Sequence, residues 1–314
     1  MPLSSFPTLF SLSLFISITM SLLPTDPLSI TSEKLRSLGQ GEVIYNASFA
    51  PGVALIELRH AERHNSFSGK MMAQFRDIIL RLEQLSSDSD LVAVIMTGCA
   101  GKSFCSGIGT TIEFSFASSL IFFLRLDLAF AQEHMQGDAK ETVNRFMHDT
   151  LTRFSRLSLI TVASMAGAAL GGGTELLTAF DYICMDSGTF IRFVQTRMGV
   201  SSPWGGARRL VPRIGRKHAL RVLGSAPVIT AAYGLQVGLV DTIVNSGSKE
   251  AAYGACLQAC LTLVEPFVVD QKSNDCVSPA AVRGMKQLVV RSEDPSDIDY
   301  EMFLFNSVVG SSRL

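Results

Sequence analysis

The sequence predicts an α/β layered domain followed by a mainly helical region, and three observations carry that reading. Short apolar runs at 91–96, 159–164 and 182–185 have the length of buried strands. The stretch 68–85 puts Met71, Met72, Phe75, Ile78, Ile79, Leu82 and Leu85 on one helical face, and 139–154 reads as a second helix. After Pro203 the pattern is helical to the end, apart from 239–244. Strands alternating with helices make a layered fold, because each element must bury its apolar face against another.

Taken in order, 53–58 alternates as a strand and is expected to pair as a hairpin with 43–45. Residues 97–107 read as a turn rich in Gly, Cys and Ser, and the glycines 171–173 open a short helix over 174–179. No internal repeat is visible.

Composition excludes several classes. Of 314 residues, 47% are apolar and 18% charged, which no disordered chain combines, and the length allows one or two domains. A net charge of −1 gives no global field for nucleic acid or an anionic membrane. The six cysteines, at 99, 105, 184, 256, 260 and 276, contain no C-x-x-C pair. They suggest neither a disulfide framework nor a metal centre, and read as thiols of a reduced compartment.

The first 25 residues carry no charge, and 9–23 is an apolar run like the core of a signal peptide. It lacks a basic start and a cleavage pattern, and the first arginine is Arg36, so neither secretion nor mitochondrial import is expected. Pro7 and Pro24 shorten the run below a membrane span. The expectation is a disordered leader over 1–40, or an extension upstream of a second start at Met20, on a cytoplasmic protein.

Two stretches carry chemistry. The run 91–96 leads into Gly101-Lys-Ser-Phe-Cys-Ser-Gly107, and the run 159–164 into Ala166-Gly-Ala-Ala-Leu-Gly-Gly-Gly-Thr-Glu175. Small residues beyond a buried strand let backbone N–H groups approach a ligand. The second stretch also aims a helix N-terminus there, where unpaired N–H groups favour an anion. Two amides converging on one oxygen make an oxyanion hole. Alone, three glycines at a helix start read equally well as tight packing.

Together and in this order, the stretches are more specific. Residues 43–245 resemble the crotonase superfamily of enoyl-CoA hydratases and isomerases. The matching segments are Phe104-Cys-Ser-Gly107, Gly167-Ala-Ala-Leu-Gly-Gly-Gly-Thr-Glu175, Trp204-Gly-Gly206 with Arg209-Leu210, and Gly238-Leu-Val-Asp241. Within it, Asn65-Ser-Phe-Ser-Gly-Lys-Met-Met72, Thr150-Leu-Thr-Arg-Phe154, Ile191-Arg-Phe-Val194 and Met198-Gly199 before Pro203-Trp-Gly-Gly206 resemble the ethylmalonyl-CoA decarboxylase branch.

The resemblance implies a crotonase-type spiral of ββα units, with a core over 41–225 and a mainly helical, shortened C-terminal region over 226–314. It implies an acyl-CoA thioester as partner, held by the amides of Ser106 and Gly172, with Gly107 and Gly171 beside them. Coenzyme A is then part of the substrate, no separate cofactor or metal is needed, and a homotrimer or hexamer is expected, with no nucleic-acid or membrane partner. Glu175, three residues past Gly172, becomes the acid/base candidate; a carboxylate in a helix's first turn is also favoured by the dipole alone. Hydratases of the superfamily use a second glutamate after a Gln-Pro pair, and here that stretch reads Gln195-Thr196-Arg197. The missing carboxylate opposes hydration and suits loss of CO2 from an alkylmalonyl thioester. The rivals are an enoyl-CoA hydratase or isomerase and an inactive acyl-CoA-binding protein.

Arg192 is a candidate reader of the substrate carboxylate, since guanidinium forks suit carboxylates, and Arg197 reads as surface charge. Between Ser187 and Val240 lie eight basic residues and no acidic one. Without aromatic stacking platforms, that stretch reads as a solvated face rather than an RNA site. One departure stands out. The superfamily pattern places one residue between Ser-Gly and Asp-Leu, whereas residues 108–126, mostly apolar, separate Gly107 from Asp127-Leu128. A loop of this length and greasiness is expected to disturb the first oxyanion turn or the acyl pocket.

Overall fold

The chain is seen in a computed structural model that describes residues 22–23, 25–99, 103–106, 110–111, 125–126 and 138–292. Helix α1 (Leu28–Arg36) precedes the antiparallel hairpin of β1 (Glu42–Ala50) and β2 (Val53–Arg59), where Tyr45 faces Ile56. Helix α2 (Gly69–Glu83) begins where the hydroxyl of Ser68 accepts the Met71 N–H, a polar N-cap that satisfies one of the free donors of the first turn.

Three β–β–α units then follow one another. The first is β3 (Ala93–Gly98), β4 (Ser103–Cys105) and α3 (Asp138–Ser155), with a strand pair β5 (Thr110–Thr111) and β6 (Arg125–Leu126) between β4 and α3. The second is β7 (Ile160–Met165), β8 (Ala168–Leu170) and α4 (Gly172–Leu177), and the third β9 (Tyr182–Asp186), β10 (Phe190–Arg192) and α5 (Gly206–Ser225). In each unit the first strand joins one sheet and the second strand joins another, so the chain spirals between two layers. The larger sheet has the order β1-β2-β3-β7-β9-β12, and the smaller β11-β10-β8-β4. Strands β11 (Ile229–Thr230) and β12 (Thr242–Val244) flank helix α6 (Ala231–Gln236), and α7 (Lys249–Val264) and α8 (Pro279–Arg291) complete the described chain.

All residues of β3 and β7 are buried, which is why their sequences are continuous apolar runs. On one face of the large sheet, Phe75 of α2, Phe154 of α3 and Phe180 after α4 stack in a row, with ring centroids 5.4 and 4.9 Å apart. The opposite face is covered by α7 through Cys256, Leu257, Cys260 and Val264.

Several expectations change. Residues 28–36 were expected in a disordered leader, but they form α1. Leu35 there is fully buried and Arg36 pairs with Asp77 of α2, so burial and an ion pair order this segment. The stretch 97–107 is not all turn, since β4 pairs in parallel with β8. Three-residue strands such as β4, β8 and β10 are too short to show a period. Helices dominate the described region after 225, and the short strands β11 and β12 there return to the two sheets. Residues 1–21, Gly107 and most of 108–126 lie outside the described residues.

Candidate active site

Strands β4 and β8 run side by side, with Cys105 opposite Ala169, so their C-terminal ends deliver two turns to one place. Gly171 ends the second of these with φ +51° and ψ −122°, a conformation open to glycine but strained for other residues, and helix α4 starts at Gly172. Gly173 lies so close to the Cys105 carbonyl that no side-chain carbon fits between them. A Cβ on Gly171 would stand 3.9 Å from the Ser106 carbonyl oxygen. The predicted oxyanion residues Ser106, Gly171 and Gly172 are therefore neighbours. The Gly172 N–H is the first of α4 and has no intrahelical acceptor.

Ser106 is held from the other side by the turn after β2. His64 and Asn65 both have positive φ, 53° and 54°, which bends the chain back over β4. Asn65 is fully buried. Its Oδ1 accepts from the His60 N–H at 2.9 Å and the Cys99 thiol at 3.2 Å, and its Nδ2 donates to the Ser103 carbonyl at 2.8 Å. The bend presents the His64 carbonyl to the Ser106 N–H at 3.2 Å, and the Ser106 hydroxyl donates to the Arg63 carbonyl. One of the two predicted donors is thus engaged by the protein itself.

Glu175 is 2% exposed and gathered by four donors. Its Oε2 accepts from the Ser202 hydroxyl at 2.6 Å, the Trp204 N–H at 2.8 Å and the Gly206 N–H at 3.2 Å. Among the described residues, its Oε1 accepts from Gln195 Nε2 alone, at 3.3 Å. The carboxylate thereby caps α5 and fixes the 202–206 loop. Burial raises the Glu175 pKa, and the hydrogen bonds from Ser202, Gly206, Trp204 and Gln195 oppose that rise. With three donors on Oε2, a proton has room only on Oε1. Arg209 crosses behind, donating to the carbonyls of Trp204 and Glu175 and the Thr178 hydroxyl. Burial pushes its guanidinium down to about 10, and the Glu175 charge draws it back up.

Arg192 does not simply face a ligand, because its Nε donates to the Ala226 carbonyl at 2.9 Å. Arg197 donates likewise to the Ser225 carbonyl at 3.0 Å. Both arginines sit at the C-terminal end of α5, where unpaired carbonyls and the helix dipole favour cations. Gly107 lies outside the described residues. Asn65, Gln195, Ser202 and Trp204 were not predicted. The only sequence signal for Gln195 was its place at the head of a stretch that lacks the second glutamate.

A cavity of about 640 Å³ opens beside the Glu175 loop, lined by Lys140, Glu141, Asn144, Arg145 and His148 of α3 and by Pro203. Trp204 Nε1 donates to Asn144 there, tying the loop to α3. Among the described residues, no three His, Cys, Asp or Glu side chains stand close enough to hold a metal ion, and no helix is long and apolar enough to cross a membrane.

Known proteins are similar to this chain in sequence and in fold. The chain is 34% identical over 281 residues to ethylmalonyl-CoA decarboxylase of Danio rerio, covering 89% of this chain and 82% of that protein. It is 32% identical over 243 residues to that of Mus musculus, covering 77% and 65%. Among solved structures, an enoyl-CoA hydratase from Bacillus anthracis superposes with a TM-score of 0.68 at 20% identity, covering 86% of this chain and 92% of that one. An enoyl-CoA hydratase from Polaromonas sp. JS666 does so with 0.64 at 17%, covering 86% and 91%. These confirm the crotonase fold read from the sequence. The sequence pattern of the enoyl-CoA hydratase/isomerase family matches residues 48–114 and 120–265, and the chain belongs to that family.

Proposed function

We propose that this protein decarboxylates ethylmalonyl-CoA, and secondarily methylmalonyl-CoA, to the acyl-CoA and CO2. The carrying observation is that Gln195-Thr196-Arg197 brings no second carboxylate to the site. Where a water-adding site would put a second acid, Arg197 stands, bound to the end of α5. A two-glutamate addition of water would therefore lack one partner. The names of the relatives support the same reaction.

In this reading the thioester oxygen lies at the Gly172 N–H, with the Ser106 N–H as second donor once it is shared with or released from His64. The bond between the α-carbon and the carboxylate breaks, CO2 leaves, and its electron pair moves into the thioester as an enolate that the donors stabilise. A proton then adds to the α-carbon. Glu175 supplies it from Oε1, its raised pKa keeping more of the acid form. The site needs no metal for these steps. By resemblance, the assembly is a homotrimer or hexamer.

The Ser106–His64 hydrogen bond favours a second reading, an acyl-CoA-binding protein with little turnover. Measuring CO2 release from ethylmalonyl-CoA beside hydration of crotonyl-CoA decides. The expected result is CO2 release well above hydration. Efficient hydration without CO2 overturns the proposal, and tight acyl-CoA binding with neither reaction favours the second reading.

A further inference from the structure

We propose, resting on the oxyanion reading above, that Gln195 is the positioning residue that fixes the direction of the Gly172 N–H. The carbonyl of Gly171 and the N–H of Gly172 belong to one planar trans peptide, so they point in opposite directions. Whatever holds the carbonyl aims the N–H. The Gly171 oxygen accepts from Gln195 Nε2 at 3.0 Å, from the Thr174 N–H at 3.0 Å and from the Thr174 hydroxyl at 2.5 Å.

The clamp has a reason to exist. A peptide between two glycines has no Cβ on either side to oppose a flip of its plane. Gly171 already lies outside the helical region, with ψ −122°. A flipped plane would turn the carbonyl, rather than the N–H, toward a bound thioester oxygen and replace attraction with repulsion. The Thr174 donors are local to α4. Among the described residues, Gln195 is the one that reaches the same oxygen from another segment, after β10, so it ties the plane to the scaffold.

The orientation of the Gln195 amide is fixed by its neighbours. Both atoms that it meets, the Gly171 carbonyl and Glu175 Oε1, are acceptors, so Nε2 faces them. Its own Oε1 is buried with no hydrogen-bond partner among the described residues. An orphaned buried acceptor is unfavourable, while the nitrogen of the same amide makes both contacts. The shared nitrogen also links the oxyanion donor to the carboxylate, so both ends of the proposed reaction rest on one side chain.

The test uses the full chain and butyryl-CoA labelled with ¹³C at the thioester carbonyl. Difference infrared spectroscopy reads the fall in carbonyl frequency on binding. Gln195→Met keeps the volume and removes the donor. It is expected to lose at least about half of the wild-type frequency shift, with butyryl-CoA affinity within about threefold, and to lower kcat for CO2 release roughly tenfold to a hundredfold with little change in KM. Thr174→Val, which removes another donor from the same oxygen, is expected to lose a smaller part of the shift and stands in if the Met variant does not fold. An unchanged carbonyl shift in the variant that folds, or no shift in the wild type, overturns the proposal. If the shift falls as expected but the wild type releases no CO2, the decarboxylase reading fails and the positioning role stands.

Discussion

Gly173 and Cys105 are in backbone contact across the junction of α4 and β4, with no space between them for a methyl group. This contact holds the two turns of the candidate oxyanion hole together. A carbonyl oxygen, unlike the end of a flexible side chain, cannot swing away. Gly173→Ala must therefore separate α4 from β4. The expected cost is about 2–3 kcal/mol or more, as for overpacking elsewhere, together with loss of most turnover. Gly254→Ala in α7 is the control, since nothing lies within 4 Å of the added carbon. It should stabilise by about 0.5–1 kcal/mol through helix propensity. Thermal unfolding of both variants checks the pair; equal behaviour would mean the Gly173 contact is not limiting.

Glu175 sets a pH dependence whose sign follows from its burial. Its folded pKa is raised above the ordinary 4.5 chiefly by desolvation. The folded state thus holds the proton more tightly than the unfolded state. This contribution to stability is fully present below the unfolded pKa and lost as pH rises through the folded one. Turnover that needs the acid form should decline over the same rise. The Ser202 hydrogen bond lowers the pKa, so Ser202→Ala should move the alkaline limb of the kcat profile to higher pH. A limb that stays fixed or moves down would mean another group delivers the proton.

Much of the fold was legible because burial writes itself into sequence. The apolar runs of β3, β7 and β9 and the one-sided face of α2 each announce their environment. The short strands β4, β8 and β10 did not, because three residues cannot establish a period and partners far along the chain hold them in place. At the site, the resemblance singled out Gly172 and Glu175 as candidates, and both lie in the first turn of α4. It did not single out Gln195 or Asn65. Their importance lies in amides that reach backbone groups 24 and 38 residues away in sequence, and a single sequence carries no trace of such contacts. Arg192 was read as facing substrate because its neighbours resemble a decarboxylase motif; the sequence could not reveal the Ala226 carbonyl beside it.

The bond from Arg192 Nε to Ala226 gives that arginine a structural role at the end of α5. Ala226 itself has φ +46°, a left-handed position that suits glycine. Arg192→Ala is expected to cost about 1 kcal/mol, the worth of a typical hydrogen bond, and to weaken ethylmalonyl-CoA and butyryl-CoA by similar factors. Ala226→Gly should relieve backbone strain and leave affinity unchanged. Calorimetric titration of Arg192→Ala with the two thioesters measures the ratio. A selective loss of the malonyl-type ligand would return Arg192 to the role of carboxylate reader.

The segment 108–126 bears on whether the chain turns over at all. It follows the Ser106 turn directly, and a shift of a donor by about 1 Å can cost on the order of 10²-fold in rate. The family pattern matches up to 114 and resumes at 120, so its match breaks within this segment. Thr110 pairs with Leu126 and Thr111 with Arg125 in antiparallel register. The two ends of the segment therefore stand side by side, and removing the pair together with what it encloses leaves a short gap to close. Deleting 109–126 leaves Ser106-Gly107-Ile108 joined to Asp127-Leu128, the short turn of the family. This deletion is expected to raise soluble yield, because it removes a stretch rich in Phe, Leu and Ile. It should also raise CO2 release by freeing the Ser106 turn to meet the Gly172 amide. Side-by-side expression and turnover of the two chains provide the measurement. A full-length chain already soluble and as active as the deletion would show that the paired ends isolate the segment from the site, and that the Ser106–His64 bond, not the insertion, sets the state of the first donor.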